Sequence, residues 1–83
     1  MPLKMFQPAI LKIDLPQHGL FAGDVGTIVD RHPAPPGGEE GYSAEFFDMT
    51  GHTVAVVTVA ASSLREPTPA DRPSVRVLSS ESA

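Results

Sequence analysis

Cysteine and tryptophan are both absent from this 83-residue chain. Without cysteine, the chain has no disulfide, no thiolate nucleophile and no cysteine-based zinc site. No apolar run reaches the ~20 residues that a membrane-spanning helix needs, since the longest covers residues 54–61 and includes Thr58. No apolar stretch typical of a secretory signal follows the first four residues. These absences predict a cytoplasmic protein that does not enter membranes.

Basic residues are also few. Six Lys and Arg stand against ten Asp and Glu, which gives a formal net charge of -4 and a pI near 5.1. Because binding to phosphate groups needs a basic surface, this balance argues against a nucleic-acid-binding protein. A small nucleic-acid-binding barrel remains the alternative hypothesis, and it would use Lys12, Arg31 and Arg65.

Long helices have little room in this composition. Nine prolines and seven glycines interrupt the chain, and both residue types disfavour helix interiors. A chain of this length forms one domain at most and buries only about 60% of its unfolded surface. The composition therefore favours short strands joined by turns, in a domain that would gain stability from oligomerisation.

The fold prediction starts from residues 23–30, a stretch that contains two glycines followed by β-branched residues. Gly23 and Gly26 are expected to allow a tight turn with backbone angles that other residues resist. The β-branched residues that follow favour an extended strand, which we place at residues 26–32.

Three further strands are predicted from hydrophobic patterning. The first covers residues 9–14, and the fourth, residues 53–59, is apolar on both faces, which suggests a central position or an interface. The third covers residues 42–46. Its alternation places three side chains inward (Tyr42, Ala44, Phe46) and two outward (Ser43, Glu45), and Phe47 breaks the pattern.

Turns and a closing element complete the predicted domain. Gly51 is expected to take a positive φ in a hairpin turn. Residues 60–64 indicate one helical or 3₁₀ turn, from which the Leu64 side chain closes one end of the core. Residues 65–67 indicate a short last strand. The prolines and glycines of residues 33–41 predict an exposed loop.

The predicted fold is all-β, a small SH3-like barrel of about five short antiparallel strands with one short helical or 3₁₀ turn. An open meander with a covering segment is the alternative. Residues 1–67 form the barrel in this interpretation, and residues 68–83 form a largely flexible tail. Within the tail, residues 74–78 are β-prone and could exchange a short strand with their own sheet edge or a neighbour's.

Catalytic and metal-binding patterns are weak. His18, His32 and His52 lie in or beside three different loops, and no paired spacing such as His-x-x-x-His occurs. No nucleophile elbow surrounds the serines, and the glycine spacing lacks the rest of a phosphate-binding loop. We therefore expect a protein that is not an enzyme, with no catalytic residue, no cofactor and no metal site.

Several segments together resemble a family of small bacterial SH3-like proteins catalogued as a domain of unknown function. The family pattern is a Leu-Pro-x-x-Gly-Leu loop, a Gly-x-Val-Gly-Thr-Ile/Val-Val strand and a Tyr-x-Val-Glu-Phe strand. The matching segments are residues 15–20, 23–29, 42–46 and 63–65, in the family's order and at compatible spacing. The resemblance covers roughly residues 6–66 and implies the small barrel.

The chain departs from that pattern in three places. Ala44 stands where the family prefers valine, the loop at residues 33–41 is enlarged, and the tail after Pro67 lies outside the pattern. A more distant likeness is to the SH3-like barrel of the nitrile hydratase beta subunit, which implies a shared fold and no shared metal chemistry.

Apolar surface is the remaining indication of function. The aromatic residues and the fourth strand supply more apolar side chains than a small barrel needs inside. We expect a protein-binding, adaptor or accessory module that forms a homo-oligomer, or an immunity-type partner of a bacterial enzyme or toxin. The candidate partner-binding residues are Leu15, Leu20, Phe21, Tyr42, Phe47 and Val56.

Overall fold

A computed structural model of the chain describes residues 3–78. Its strands are β1 (Pro8–Leu11), β2 (Val25–His32), β3 (Gly41–Phe47), β4 (Thr53–Ala60) and β5 (Leu64–Arg65). They form one antiparallel sheet in the spatial order β4-β3-β2-β1-β5. The predicted all-β fold with five short antiparallel strands is confirmed.

Two short 3₁₀ turns are the helical elements of the described residues. Ala61–Ser63 lies where one such turn was predicted, and it leads into Leu64, which is buried in the core. Pro16–His18 was predicted as loop. Pro16 presets φ at the first position of this turn, and Gly19 ends it with a positive φ of 69°. No helix of residues 3–78 has the length and apolar character needed to cross a membrane.

The core lies on one face of the sheet. Tyr42, Ala44 and Phe46 of β3 point into it as predicted, and all three are buried. Side chains from every other strand and from the loop after β1 join them; the remaining buried members are Ala9, Leu11, Leu20, Ile28, Val57 and Leu64. The alternation of side chains along β3 therefore fixes which face of the sheet carries the core.

Ser43 is a correction to that alternation. It was predicted to face solvent, but only 8% of its surface is exposed. Its hydroxyl lies 2.9 Å from His32 Nε2 and 2.7 Å from Thr58 Oγ1. These polar neighbours on β2 and β4 cover the serine and satisfy its hydrogen bonds, so its burial carries little cost.

The two glycines of residues 23–30 have different structural roles. Gly23 has a φ of 99°, as expected for a turn, and its N–H donates to the Leu11 carbonyl at 2.8 Å. Gly26 lies in β2, which confirms its place in the predicted strand, but its φ is not positive, so the prediction that it serves the turn is wrong. It pairs with Phe46, and a β-carbon at Gly26 would lie 2.9 Å from the Phe46 ring. The glycine is needed because the ring packs on it.

β1 ends three residues earlier than predicted. After Leu11 the chain leaves the sheet, because both partner strands end there: Val25, opposite Ile10, is the first residue of β2, and β5 has only two residues. Asp14 then accepts a hydrogen bond from the Ala22 N–H at 2.9 Å, and Leu15 pairs with Leu20 across the loop. The segment between β1 and β2 is thus held by its own contacts.

β4 is an edge strand, which corrects the predicted central position. It pairs with β3 on one side, and it is the end member of the sheet in the described residues. Its apolar pattern has two causes, since Val57 packs in the core and the opposite face carries Val54 and Val56 into solvent. The alternative reading of this strand, an interface, is still open.

The described part of the tail, residues 68–78, contains no strand. Two ion pairs tie it to the sheet and the β1–β2 loop. Arg65 of β5 binds Asp71 through its two terminal guanidinium nitrogens at 2.9 and 2.7 Å, and Arg76 binds Asp24 at 2.6 Å. The predicted strand exchange by residues 74–78 is not part of this conformation, and residues 79–83 of the predicted tail lie outside the described residues.

Candidate docking surface

The edge of β4 is the first component of a candidate docking surface. Its sequence, Thr-Val-Ala-Val-Val-Thr-Val-Ala, contains no charge, proline or glycine over eight residues. Natural edge strands are usually short, charged or interrupted, because an edge exposes unpaired N–H and C=O groups to other chains. β4 has none of these protections.

Apolar side chains continue from this edge across the outer face of the sheet. Phe47, Val54 and Val56 are 45%, 53% and 56% exposed, and Met49 in the β3–β4 turn is more exposed still. We call these four residues the outer patch. The sheet register shifts between Phe46 and Phe47. This irregularity coincides with the predicted break in alternation and leaves the Phe47 ring on the surface.

The six predicted partner-binding residues separate by burial. Phe47 and Val56 belong to the outer patch, and Leu15 and Phe21 are partly buried in the β1–β2 loop. Leu20 and Tyr42 are only 3% and 1% exposed. Their burial removes both from the candidate surface, because a side chain enclosed in the core cannot contact a partner.

Tyr42 has a structural role at the end of β3. Its hydroxyl donates to Glu40 Oε1 at 2.9 Å, and Glu40 also pairs with Arg31. Burial raises the pKa of the Tyr42 phenol, and the bond to Glu40 raises it further. The bonds from Arg31 and Tyr42 lower the pKa of Glu40.

Asp48 fixes the turn beside the outer patch. Its Oδ1 accepts hydrogen bonds from the Thr50 N–H (2.9 Å), the Thr50 hydroxyl (2.7 Å) and the His52 N–H (3.0 Å). These donors lower the pKa of the Asp48 carboxyl. Gly51 completes the turn with a φ of 92°, which confirms the predicted positive value.

The residues of the nucleic-acid hypothesis are largely engaged elsewhere. Arg31 pairs with Glu40, and Arg65 pairs with Asp71. Within residues 3–78, Lys12 is the member of the set that forms no ion pair. The three positions therefore do not present a shared positive surface.

The histidines do not converge. His32 contacts the Ser43 hydroxyl, His52 Nδ1 lies 2.8 Å from the Thr50 hydroxyl, and His18 ends the first 3₁₀ turn in an exposed position. Across residues 3–78, no group of three or more His, Asp or Glu side chains could hold a metal ion.

Met49 was not predicted as a surface residue, and Val54 was predicted only as part of the apolar fourth strand, not as a single partner-binding residue. The signal was available for Val54, because strict alternation from buried Val57 along β4 places Val54 and Val56 on the opposite face. The sequence allowed two explanations of this strand, a central position and an interface, and only the second exposes Val54. Met49 lies in the turn, where side-chain alternation gives no guidance.

Comparisons with known proteins place the chain in a family. No curated protein and no solved structure matches it, so the likeness to the nitrile hydratase barrel remains a prediction. Residues 5–66 match a family described as "Domain of unknown function (DUF4926)", in agreement with the resemblance carried by the loop and strand motifs. These residues include all five strands and both 3₁₀ turns. The chain therefore belongs to the DUF4926 family of domains of unknown function.

Proposed function

We propose that this protein is a non-enzymatic protein-binding module that self-associates by antiparallel pairing of β4 with β4 of a second copy. The observation that carries the proposal is the eight-residue, uncharged edge of β4. Pairing would satisfy backbone groups that the described chain leaves open at this edge.

The geometry of such a pair is self-complementary. Two identical antiparallel strands are related by a twofold axis, so each copy supplies the same surface. Val54 and Val56 lie on one face of β4, and in the register that places Val54 opposite Val56 of the second copy these valines would meet across the axis. Burying these valines against each other removes apolar surface from water and adds core to a domain that has little.

The order and pairing of the strands support a more specific fold assignment. Five antiparallel strands, with a 3₁₀ turn leading into a short last strand that pairs with the first, support an SH3-like barrel. We propose that it acts in the cytoplasm of a bacterium as an adaptor, an accessory protein or an immunity-type partner. A partner protein could use the same edge by adding its own strand to β4.

The test is sedimentation analysis of the full chain over a wide concentration range, comparing the wild type with Val56→Lys and Val25→Lys. Val25 is the matched control. It lies on β2 with 51% exposure, close to the 56% of Val56, but both neighbours of β2 are occupied strands. A lysine at Val56 places a charge on the shared edge, where the second copy would place another.

We expect the wild type and Val25→Lys to dimerise and Val56→Lys to dimerise at least about tenfold more weakly, the equivalent of ~1.4 kcal/mol. A wild type that remains monomeric at millimolar concentration would contradict self-association. Equal weakening by both substitutions would contradict pairing through the β4 edge.

A further inference from the structure

A second site lies in the loop between β1 and β2. Arg76 belongs to the tail, and its guanidinium makes three contacts with this loop. It stands over the Phe21 ring with Cζ 4.6 Å from the ring centroid. One of its nitrogens donates to Asp24 Oδ2 at 2.6 Å and to the Gly19 carbonyl at 3.3 Å. An aromatic face, a carboxylate and a carbonyl together suit a planar cation.

The loop holds these groups through its own hydrogen bonds. Asp24 Oδ2 accepts from the Phe21 N–H at 2.9 Å, and the Asp24 N–H donates to the Phe21 carbonyl at 3.0 Å. Gly19 takes a φ of 69° and donates to the Pro16 carbonyl at 3.0 Å. None of these bonds involves Arg76, so the loop itself orders the groups that bind the guanidinium.

The tail residues on either side of Arg76 lie along an apolar groove with a volume of about 800 Å³. Val75 and Leu78 line the groove with Ile10 and Val25 of the sheet, and a Leu78 methyl lies 3.8 Å from where a β-carbon on Gly19 would stand. Ile10 is only 7% exposed, although it is not part of the main core cluster. The outer face thus has a second, smaller region of burial where the tail crosses the sheet.

We propose that Phe21, Asp24 and the Gly19 carbonyl form a binding site for the arginine of a peptide in which aliphatic residues flank that arginine. In this structure the protein's own tail occupies the site through Arg76. A partner protein that carries such a segment competes with the tail for the site and, on binding, exposes the tail. The groove beside this site also reaches Phe47, Met49 and Val54 of the outer patch.

The contact chemistry sets the expected selectivity. The pair between Arg76 and Asp24 is partly exposed, and such pairs and cation–π contacts each contribute modestly. Lysine cannot reproduce the flat guanidinium over the Phe21 ring while also reaching both oxygen acceptors. A peptide with arginine is therefore preferred over the same peptide with lysine.

The test uses a fluorescently labelled peptide with the sequence of residues 73–78 and full-length protein, with binding followed by anisotropy. We expect Arg76→Ala protein to bind the peptide at least about fivefold more tightly than wild type, because its own tail no longer competes. Asp24→Asn in the Arg76→Ala background should weaken binding about fivefold, and Asp30→Asn, which makes the same charge change elsewhere, should not. Replacing the peptide's arginine by lysine should also weaken binding.

Circular dichroism shows whether each variant is folded. If Asp24→Asn disturbs the loop, Phe21→Leu in the Arg76→Ala background provides a second test, since it keeps apolar bulk and removes the ring face. Absence of binding to folded Arg76→Ala protein would overturn the proposal. Equal weakening by Asp24→Asn and Asp30→Asn would also overturn it, because it would show attraction to net negative charge alone.

Discussion

Gly26 shows how one residue sets the packing of the sheet. Because it lies opposite Phe46 and has no side chain, the aromatic ring can cover the backbone of β2. Any β-carbon there would stand 2.9 Å from ring atoms that are themselves enclosed in the core. The ring cannot move away without disturbing its buried neighbours.

We therefore expect Gly26→Ala to destabilise the fold by about 1–3 kcal/mol, as overpacking of a core does. Urea unfolding followed by circular dichroism measures the change. Gly41→Ala is the matched control. Gly41 also lies in a strand, but its β-carbon would meet its nearest neighbour, the Val59 carbonyl, at 3.4 Å. The control should stay within about 1 kcal/mol of wild type, and equal losses for the two variants would contradict this explanation.

Residues of the core were readable in the sequence where alternation was regular. Tyr42, Ala44 and Phe46 were placed correctly because period-two patterning reports the faces of a strand directly. Gly26 was misread, because a local rule about glycine and turns contains no information about an aromatic ring on the neighbouring strand. Ser43 was misread for a similar reason, since its polar neighbours come from two other strands.

At the scale of elements, the β3–β4 hairpin depends on its turn. Asp48 accepts three hydrogen bonds there as a carboxylate, and they hold its pKa below the ordinary value. A group whose pKa is lower in the folded than in the unfolded state contributes stability above the unfolded pKa. That contribution is lost as the pH falls through the folded pKa.

The free energy of unfolding should therefore decrease as the pH falls below about 4, and Asp48→Asn should make this decrease smaller. Thr50→Ala should give an intermediate dependence, because it removes the donor that lowers the Asp48 pKa most and keeps the carboxylate. Urea unfolding at a series of pH values between 7 and 2 measures both. Parallel curves for wild type and Asp48→Asn would show that the turn does not couple to proton binding.

The position of a strand in the sheet is harder to predict than its existence. β2, β3 and β4 were located within one residue at each end, because their β-branched and alternating residues are local signals. β4 was predicted either to take a central position or to form an interface, because both of its faces are apolar. Burial on both faces and exposure of an apolar face produce the same sequence pattern, and only the pairing order distinguishes them.

For the candidate sites, the sequence indicated which types of residue could bind a partner, but it did not show which of them lie together in the folded chain. Phe47 and Val56, two of the predicted partner-binding residues, are exposed apolar side chains, and their binding to a partner stays a prediction. The Arg76 site was not predicted, because it joins a loop and a tail that are 52 residues apart in sequence. Contacts of this kind depend on the path of the whole chain.

The charge distribution of the whole molecule bears on nucleic acids. Net charge is -4, and three of the six basic residues are paired with acids within the described residues. Neutralised guanidinium groups displace few counterions from a phosphate backbone. We expect the full chain to show no binding to labelled single-stranded RNA or duplex DNA at physiological salt, by anisotropy at micromolar protein.

The same titration on Lys12→Ala protein provides the contrast. If wild type binds and Lys12→Ala does not, Lys12 belongs to a nucleic-acid surface and the protein-binding assignment has to be revised. A strong dependence of wild-type binding on salt would point the same way.

Strand order also has a kinetic consequence. β1, β2 and β3 each pair with the next strand along the chain, whereas the last strand, β5, pairs with β1, where Leu11 lies opposite Leu64. Contacts between distant parts of a sequence form slowly, because a long loop must close first. During synthesis on the ribosome, the meander of the first four strands can therefore assemble early, while the free edge of β1 is covered only after β5 has emerged.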